Sequence, residues 1–109
     1  MFFFHGMYCN GNTSGYLADV ISKTFGINCY ALDFLNAGKS ESPEPGYYAS
    51  FDYLLDQAYQ FIQFILKQFT NKPLVFCSGL SMGGAVSFSL GVKYPELIKG
   101  ILMYGPALK

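Results

Sequence analysis

The chain has 109 residues, with seven basic and seven acidic side chains and a formal net charge of zero. This length has room for one domain, and a neutral chain lacks the attraction to phosphate backbones or anionic lipids that basic proteins have. Hydrophobic residues make up 51% of the chain and charged residues only 13%, which excludes disorder. We therefore expect one folded domain that does not bind nucleic acid.

Neither a membrane span nor a metal site is expected. The longest apolar runs, such as Met1 to Phe4, contain four or five residues, far fewer than the ~20 that a transmembrane helix needs. His5 and Gly6 follow this first run too early for a signal peptide. The cysteines have no zinc-site spacing and are odd in number: Cys9, Cys29 and Cys77. These features predict reduced thiols in a cytoplasmic protein without a metal or another cofactor.

Four short apolar runs alternate with segments of helical length, which is typical of parallel strands joined by crossover helices. The first run, Met1 to Phe4, is predicted to be a strand. After a polar loop, Thr13 or Ser14 is the expected N-cap of a helix that extends to about Phe25 and ends at Gly26. Four apolar residues of this helix share one face: Leu17, Val20, Ile21 and Phe25.

The second run, Ile27 to Leu32, is also predicted to be a strand. Residues 33–46 contain two prolines and two glycines and are expected to form a surface loop. A long helix from about Ser50 to Phe69 follows, and Pro73 prevents it from continuing. One face of this helix is apolar and should cover the sheet: Leu54, Ala58, Phe61, Ile62, Ile65 and Phe69.

The last third of the chain predicts two more strands around a buried helix. Leu74 to Ser78 and Gly100 to Tyr104 are the strands. Met82 to Lys93 has little polar surface and is expected to be a mostly buried helix, which ends at Tyr94-Pro95. The fold class is therefore α/β, with about four parallel strands and helices on both faces of the sheet.

The strongest chemical motif is Gly79-Leu80-Ser81-Met82-Gly83, which lies between the third predicted strand and the buried helix. It matches G-x-S-x-G, and a strand before it and a helix after it are the context that gives this motif its meaning. A turn of this kind presents Ser81 outward, near the positive end of the helix. Gly79 and Gly83 remove side chains that would collide across the bend, and Gly84 extends this allowance. The motif favours a nucleophilic Ser81 over an ordinary loop serine.

A second loop, His5-Gly6-Met7, directly follows the first strand. Acyl transfer places negative charge on the carbonyl oxygen, and two backbone N–H groups commonly stabilise it. The residue after the nucleophile and one residue of an upstream loop are the usual donors. We expect these donors to be Met82 and Met7, whose side chains then serve only as apolar lining.

The ordered motifs resemble the α/β-hydrolase family, most closely its monoacylglycerol-lipase-like and serine-aminopeptidase-like members. The resemblance rests on four segments: Phe4 to Met7, Tyr30 to Asp33 with Gly38 to Ser40, Gly79 to Gly84, and Tyr94 to Glu96 leading into Gly100 to Leu102. It implies a cofactor-independent serine hydrolase acting on carboxylic esters with lipid-like acyl groups. It also implies that the strands are the third to sixth of eight, in the spatial order second, first, third, fourth.

Two features depart from the family pattern. The family often has arginine and glycine where Leu35 and Asn36 stand, so the loop after Asp33 is expected to bend differently. The triad acid and histidine should follow Ser81, yet no aspartate or histidine follows it, and the only later acid is Glu96. The resemblance gives the sole histidine, His5, a structural role, with a Ser81–His5 pair as the minor alternative. Asp33 is expected to accept N–H bonds from its loop.

Packing leads to the same expectation of a single, incomplete domain over residues 1–109. Two helices would cover one face of the sheet and only one the other, and the second and fourth strands would be open edges. The amino-terminal strands and the part that bears the acid and histidine would then lie outside this sequence.

Two functions remain open: the nucleophile-bearing core of a serine hydrolase, or a catalytically silent fragment or interaction module. If the chain is such a fragment or module, the open edges of its sheet also allow it to associate with further copies of itself. A nucleotide-binding domain is disfavoured, because Gly79 to Gly84 does not fit G-x-G-x-x-G.

Overall fold

The computed structural model describes residues 1–108 and arranges them as one sheet of four parallel strands with three α-helices. The strands are β1 (Phe2–Phe4), β2 (Tyr30–Leu32), β3 (Val75–Leu80) and β4 (Ile98–Tyr104). The helices are α1 (Gly15–Phe25), α2 (Phe51–Leu66) and α3 (Met82–Lys93). The spatial order β2-β1-β3-β4 confirms the predicted α/β class and strand order.

The strand order places the helices on both faces of the sheet. Right-handed crossovers put α1 on one face, because the chain steps from β1 to β2 in one direction, and α2 and α3 on the other, because both later steps run in the opposite direction. Helices α2 and α3 supply the helical part of the hydrophobic core. No helix among the described residues combines the length and hydropathy that a membrane span requires.

Helix α1 contributes little to the core, although its sequence has an apolar face. It has no buried side chain, and Val20 and Phe25 are 40% and 69% exposed. Within residues 1–108, no second helix lies beside α1 on its face of the sheet. The predicted apolar face is therefore left largely in contact with solvent.

Helix α2 begins where the sequence predicts and ends three residues earlier. The hydroxyl of Ser50 accepts the N–H of Tyr53 at 3.1 Å and caps the helix. The chain leaves the helix after Leu66, where the N–H of Gln68 bonds to the carbonyl of Ile65 and tightens the last turn. The buried residues fall mainly on the predicted face: Leu54, Leu55, Ala58, Ile62 and Ile65.

Helix α1 has Ser14 at its N-cap position, one of the two residues that the sequence predicts, but the start of the helix is stabilised differently. Gly11–Ser14 form a 3-10 turn capped by Asn10, whose side chain accepts a backbone N–H of the turn. Helix α1 continues directly from this turn, and Ser14 makes no capping bond. The capping bond is absent because the hydroxyl of Ser14 has a distant partner, the hydroxyl of Tyr104 at 3.0 Å.

The strand bounds differ from the predicted ones by at most three residues. Strand β2 begins at Tyr30 rather than Ile27, because its ladder matches only the three residues of β1. Strand β3 continues two residues further than predicted, to Leu80, and β4 begins at Ile98 rather than Gly100. The longer β3 and β4 pair with each other over their full length.

The register brings three strand ends to one edge of the sheet. Phe4 pairs with Leu32 on one side and with Gly79 on the other. Because the strands are parallel, the segments that leave their carboxyl ends meet at this edge. These segments begin at His5, Asp33 and Ser81.

Asp33 ties two of these loops together, as the sequence predicts. Its carboxylate accepts the N–H of Gly11 at 2.6 Å and the N–H of Lys39 at 2.8 Å. Burial opposes ionisation of this group, but the two backbone hydrogen bonds outweigh it, and the pKa of Asp33 lies below its ordinary value. The carboxylate thus stabilises both loops when it is ionised.

The loop after Asp33 is organised by Asn36. Its φ is 68°, in the left-handed region that favours glycine. Its side chain accepts the N–H of Glu44 at 3.0 Å and donates to the carbonyl of Tyr47 at 2.9 Å. Asparagine therefore takes a backbone conformation that glycine adopts without strain, and its side chain supplies two hydrogen bonds that hold the loop.

Helix α3 packs directly on the backbone of β1 at Gly83. A Cβ atom at this position would overlap the carbonyl oxygen of Phe4 and lie 2.8 Å from that of His5. Neither obstacle is a flexible side chain, so the helix and the strand would have to separate. The close approach of α3 to β1 thus depends on the absence of a side chain at residue 83.

We predict that Gly83→Ala lowers the free energy of unfolding by about 2–3 kcal/mol through overpacking. Gly15→Ala is the matched control, because a Cβ there meets nothing within 4 Å and the backbone is helical. It should leave stability unchanged or raise it by a few tenths of a kcal/mol. Urea unfolding followed by circular dichroism measures both. Equal stability of the two variants would contradict this packing.

We also predict that Asp33→Asn destabilises the protein at pH 7 by about 1–2 kcal/mol, because charged acceptors make the stronger hydrogen bonds. Since folding lowers the pKa of Asp33, its contribution is complete above the unfolded value of about 3.9 and is lost as the pH falls through the folded pKa. The difference in unfolding free energy between wild type and Asp33→Asn should therefore be complete at pH 7 and smaller near pH 3. Asp56→Asn, on the exposed face of α2, should change stability little at either pH. A difference for Asp33→Asn that stays constant with pH would exclude the role of its charge.

Candidate active site

Ser81 joins the end of β3 to the start of α3 in an unusual backbone conformation. Its φ is 51° and its ψ is −115°, a region that costs a non-glycine residue free energy unless its surroundings enforce it. Three backbone hydrogen bonds do so. The Ser81 N–H donates to the carbonyl of Tyr104 at 3.2 Å, and the Ser81 carbonyl accepts from Ala85 at 3.2 Å and Ala107 at 3.0 Å.

The glycines on both sides of Ser81 let the turn close. A Cβ at Gly79 would overlap the backbone of Gly83 and Gly84. One at Gly84 would lie 2.9 Å from Cβ of Pro106 and 3.1 Å from the carbonyl oxygen of Gly79. At these two glycines, β3, the start of α3 and Pro106 after β4 therefore lie too close together for any side chain between them. This packing leaves Ser81 at the apex of the turn.

The loop after β1 lies against this turn. A Cβ at Gly6 would be 3.4 Å from Cβ of Ser81 and 3.4 Å from the carbonyl oxygen of Leu80. Met7 follows in the chain with a side chain that is 51% exposed, whereas Met82 is buried. The two sequence segments that were singled out separately are thus brought together at one place.

Two backbone amides at this place have no protein acceptor. Within residues 1–108, no hydrogen bond of a turn, loop or cap uses the N–H of Met7 or Met82 as donor. Met82 is the first residue of α3, where N–H groups have no partner inside the helix and the dipole is positive. Both amides are free to bind an anionic oxygen.

His5 holds the loop in place through both ring nitrogens. It is buried, its Nδ1 lies 2.8 Å from the carbonyl oxygen of Gly6, and its Nε2 accepts the N–H of Phe34 at 3.2 Å. Because Nε2 is an acceptor, the proton belongs on Nδ1, which donates to Gly6. The hydroxyl of Ser81 has no such bond to His5 in the described part of the chain. The alternative Ser81–His5 pair is therefore not formed.

Neither carboxylate considered in the sequence replaces the triad acid. Asp33 is occupied by two loop N–H groups. Glu96 precedes β4, so it lies at the amino edge of the parallel sheet, whereas Ser81 lies at the carboxyl edge. The described residues thus bring Ser81 together with backbone donors and with no general base.

The nearby thiol is not a competing nucleophile. Cys77 is fully buried in β3, and burial raises its pKa to about 12. A thiol with this pKa remains protonated at neutral pH. All three cysteines are unpaired.

Sequence reasoning missed the contribution of Tyr104 and Ala107. Both act on Ser81 through backbone atoms, and backbone contacts between distant segments leave no pattern in side-chain type. Pairing of Leu80 with Tyr104 in the β3–β4 ladder brings them together. Only the predicted strand order hinted that the end of β4 would lie beside this turn.

Comparison with known proteins places this geometry in context. The chain matches the family model described as "Serine aminopeptidase, S33" over residues 1–109. A proline iminopeptidase from Thermoplasma volcanium is 32% identical over 82% of this chain and 28% of its own length. Among solved structures, a monoacylglycerol lipase from Paleococcus ferrophilus has a TM-score of 0.76 at 26% identity, over 99% of this chain and 38% of that one. A metagenome-derived lipolytic enzyme of the LipS and LipT study has a TM-score of 0.79 at 20% identity, over 99% and 42%.

The chain thus spans between about a quarter and two fifths of the length of these three proteins. The match to the family model, in contrast, extends over every residue of the chain. The chain belongs to the serine aminopeptidase S33 family of α/β-hydrolases.

Proposed function

We propose that this chain carries the nucleophile and the oxyanion-binding amides of a serine hydrolase. Ser81 is the nucleophile, and the N–H groups of Met7 and Met82 bind the oxyanion. His5, Gly6, Gly79, Gly83 and Gly84 form the scaffold that holds these groups. Family membership supports hydrolysis as the general activity, and the assignment of residues is our proposal.

The contact between Gly6 and the Ser81 turn carries this proposal. Acyl transfer needs a nucleophile and two donors around one reacting carbonyl group. A Cβ at Gly6 would lie only 3.4 Å from Cβ of Ser81, so the Met7 segment lies close to the turn, and the Met82 amide is the next along the chain from Ser81 itself. An ordinary loop serine would not need this arrangement or the strained φ of 51°.

The reaction proceeds in two steps. The hydroxyl oxygen of Ser81 attacks the acyl carbon while its proton passes to a general base, and the carbonyl oxygen becomes an oxyanion between the two amides. Collapse of this intermediate breaks the bond to the alcohol, which takes the proton, and leaves an acyl-serine. Water, deprotonated by the same base, then releases the carboxylic acid and restores Ser81.

The proposed substrates are carboxylic esters with lipid-like acyl groups. The monoacylglycerol lipase, at 26% identity over nearly the whole chain, supports this class. The proline iminopeptidase at 32% identity supports a related acyl transfer from an amide. Nucleophile and oxyanion donors serve both reactions, so the ester preference rests on the lipase relative.

The general base and the acid that orients it must come from outside residues 1–109. The sole histidine, His5, uses both ring nitrogens to hold its own loop. Catalysis by the oxyanion hole alone is a small fraction of that by a full triad. We therefore expect little turnover by this chain in isolation and further polypeptide to complete the active site.

A catalytically silent interaction module is the second candidate. The observation that favours it is the pair of sheet edges: β2 and β4 each have one neighbour within residues 1–108, and Ile101 and Leu102 of β4 are exposed. Open edges of this kind pair with further strands or with a second copy. Both candidates are compatible with a reducing cytoplasmic location, which is favoured by three unpaired cysteines.

We predict that an alkyl fluorophosphonate labels Ser81 slowly and that added imidazole, as an external base, accelerates labelling roughly tenfold. Ser81→Ala should abolish the adduct in both conditions, whereas Ser42→Ala, in the exposed loop, should label like wild type. Intact-protein and peptide mass spectrometry follow the adduct. Labelling or ester hydrolysis that persists in Ser81→Ala would eliminate Ser81 as the nucleophile.

A second prediction concerns the Met82 amide. Replacement of the peptide bond at residue 82 by an ester removes the N–H donor and also weakens the Ser81 carbonyl as an acceptor for Ala85 and Ala107, and the labelling rate should fall about 100-fold or more. Met82→Leu keeps the donor and the apolar volume, and its rate should remain within about threefold of wild type. Chemical ligation gives the ester variant, and the same mass-spectrometric assay compares the rates. If the leucine variant were the slower of the two, the side chain rather than the amide would matter.

A further inference from the structure

We infer that Tyr104 is a positioning residue that fixes the Ser81 turn relative to the loop carrying the Met7 amide. Its backbone bonds to the Ser81 turn, and its side chain bonds to Ser14 in the 3-10 turn that follows the Met7 loop. This inference rests on the proposed function, since it concerns the geometry of the proposed nucleophile and oxyanion donors. Tyr104 itself does not contact the reacting atoms in this arrangement.

The backbone link acts on Ser81 directly. Tyr104 is the last residue of β4 and pairs with Leu80, the last residue of β3. Its carbonyl accepts the N–H of Ser81 at 3.2 Å, and three residues later Ala107 donates to the carbonyl of Ser81 at 3.0 Å. The end of β4 and the segment after it thus hold the peptide groups on both sides of Ser81. Any shift of Tyr104 moves the acceptor on which the strained backbone of Ser81 depends.

The side-chain link reaches the first loop. The hydroxyl of Tyr104 lies 3.0 Å from the hydroxyl of Ser14, which is 3% exposed and ends the 3-10 turn. The beginning of that turn, Gly11, donates to Asp33 at 2.6 Å. Just before it, the N–H of Cys9 donates to the carbonyl of Gly6 at 3.2 Å. A bonded path therefore extends from Tyr104 through the turn to the loop around Met7.

The two donors need such a link because no single element holds both. Met82 belongs to α3, whereas Met7 lies beyond the end of β1 in a loop whose next residue, Tyr8, has a φ of 59°. The β1–β3 ladder aligns the strands only as far as Phe4 and Gly79. An oxyanion hole requires both N–H groups within about 3 Å of the same oxygen. Tyr104 is placed to maintain that distance beyond the reach of the ladder.

The first test does not depend on catalysis. Hydrogen exchange at the Ser81 amide is measured by NMR in wild type, Tyr104→Phe and Ser14→Ala, with Tyr16→Phe as control because that side chain is 85% exposed. Loss of one hydrogen bond should raise exchange at Ser81 about fivefold in the first two variants. The control should match wild type. Unchanged exchange in Ser14→Ala would overturn the link, because a bond that only anchored the 3-10 turn would not affect the amide of Ser81.

The second test measures the chemistry. Fluorophosphonate labelling with imidazole should show a maximal rate that falls roughly tenfold in both variants, with the half-saturating concentration of reagent unchanged. The double variant should be no slower than either single one, because both changes break the same link. Additive losses, or a change confined to the half-saturating concentration, would contradict a positioning role.

The two tests also separate this inference from the proposed function. If wild type is not labelled at Ser81, the proposed function fails, and the exchange rates still decide whether Tyr104 couples the turn to the loop. If wild type is labelled and Tyr104→Phe reacts at the same rate, the proposed function stands and the positioning role is wrong. Cooperative unfolding of every variant above the assay temperature shows that neither result reflects loss of the fold.

Discussion

The conformation of Ser81 is the constraint on which the rest of the structure depends. A non-glycine residue with a φ of 51° must be held there by its neighbours, and its neighbours come from three parts of the chain. The end of β4 accepts its N–H, the segment after β4 donates to its carbonyl, α3 begins directly after it, and Gly6 lies so near that an added Cβ would be 3.4 Å from Cβ of Ser81. Each contact depends on a parallel pairing: β3 with β4, or β1 with β3.

This constraint explains why small residues cluster at the carboxyl edge of the sheet. The turn brings backbone against backbone at Gly79 and Gly83, where a Cβ would overlap main-chain atoms rather than movable side chains. The same tightness leaves the amide at the start of α3 without a protein acceptor. The packing and the proposed chemistry therefore both follow from the short connection between β3 and α3, which is Ser81 alone.

Local patterns predicted most of the fold. The bounds of α3, the cap at Ser50 and the strand order follow from hydrophobic periodicity, capping preference and the handedness of crossovers. Sequence reasoning failed where a partner lies far along the chain. Ser14 occupies the N-cap position that serine favours, but its hydroxyl bonds to Tyr104, ninety residues later, instead of capping the helix. The three-residue β2 is short for a similar reason, since its length depends on β1.

The candidate site was predictable as a set of residues but not as a geometry. The G-x-S-x-G segment and the His5 loop carry signals in residue type, whereas the backbone bonds of Tyr104 and Ala107 do not. The occupied ring nitrogens of His5 could not be read from the sequence either, because Phe34 donates through its backbone. The identity of the reactive side chains can be predicted from the sequence, whereas the main-chain hydrogen bonds that hold them depend on the fold.

A structure of the fluorophosphonate adduct tests the central claim most directly. The account predicts a phosphorus atom bonded to the oxygen of Ser81, with its phosphoryl oxygen about 3 Å from the amide nitrogens of both Met7 and Met82. A phosphoryl oxygen directed into solvent, or an adduct on another residue, would contradict it.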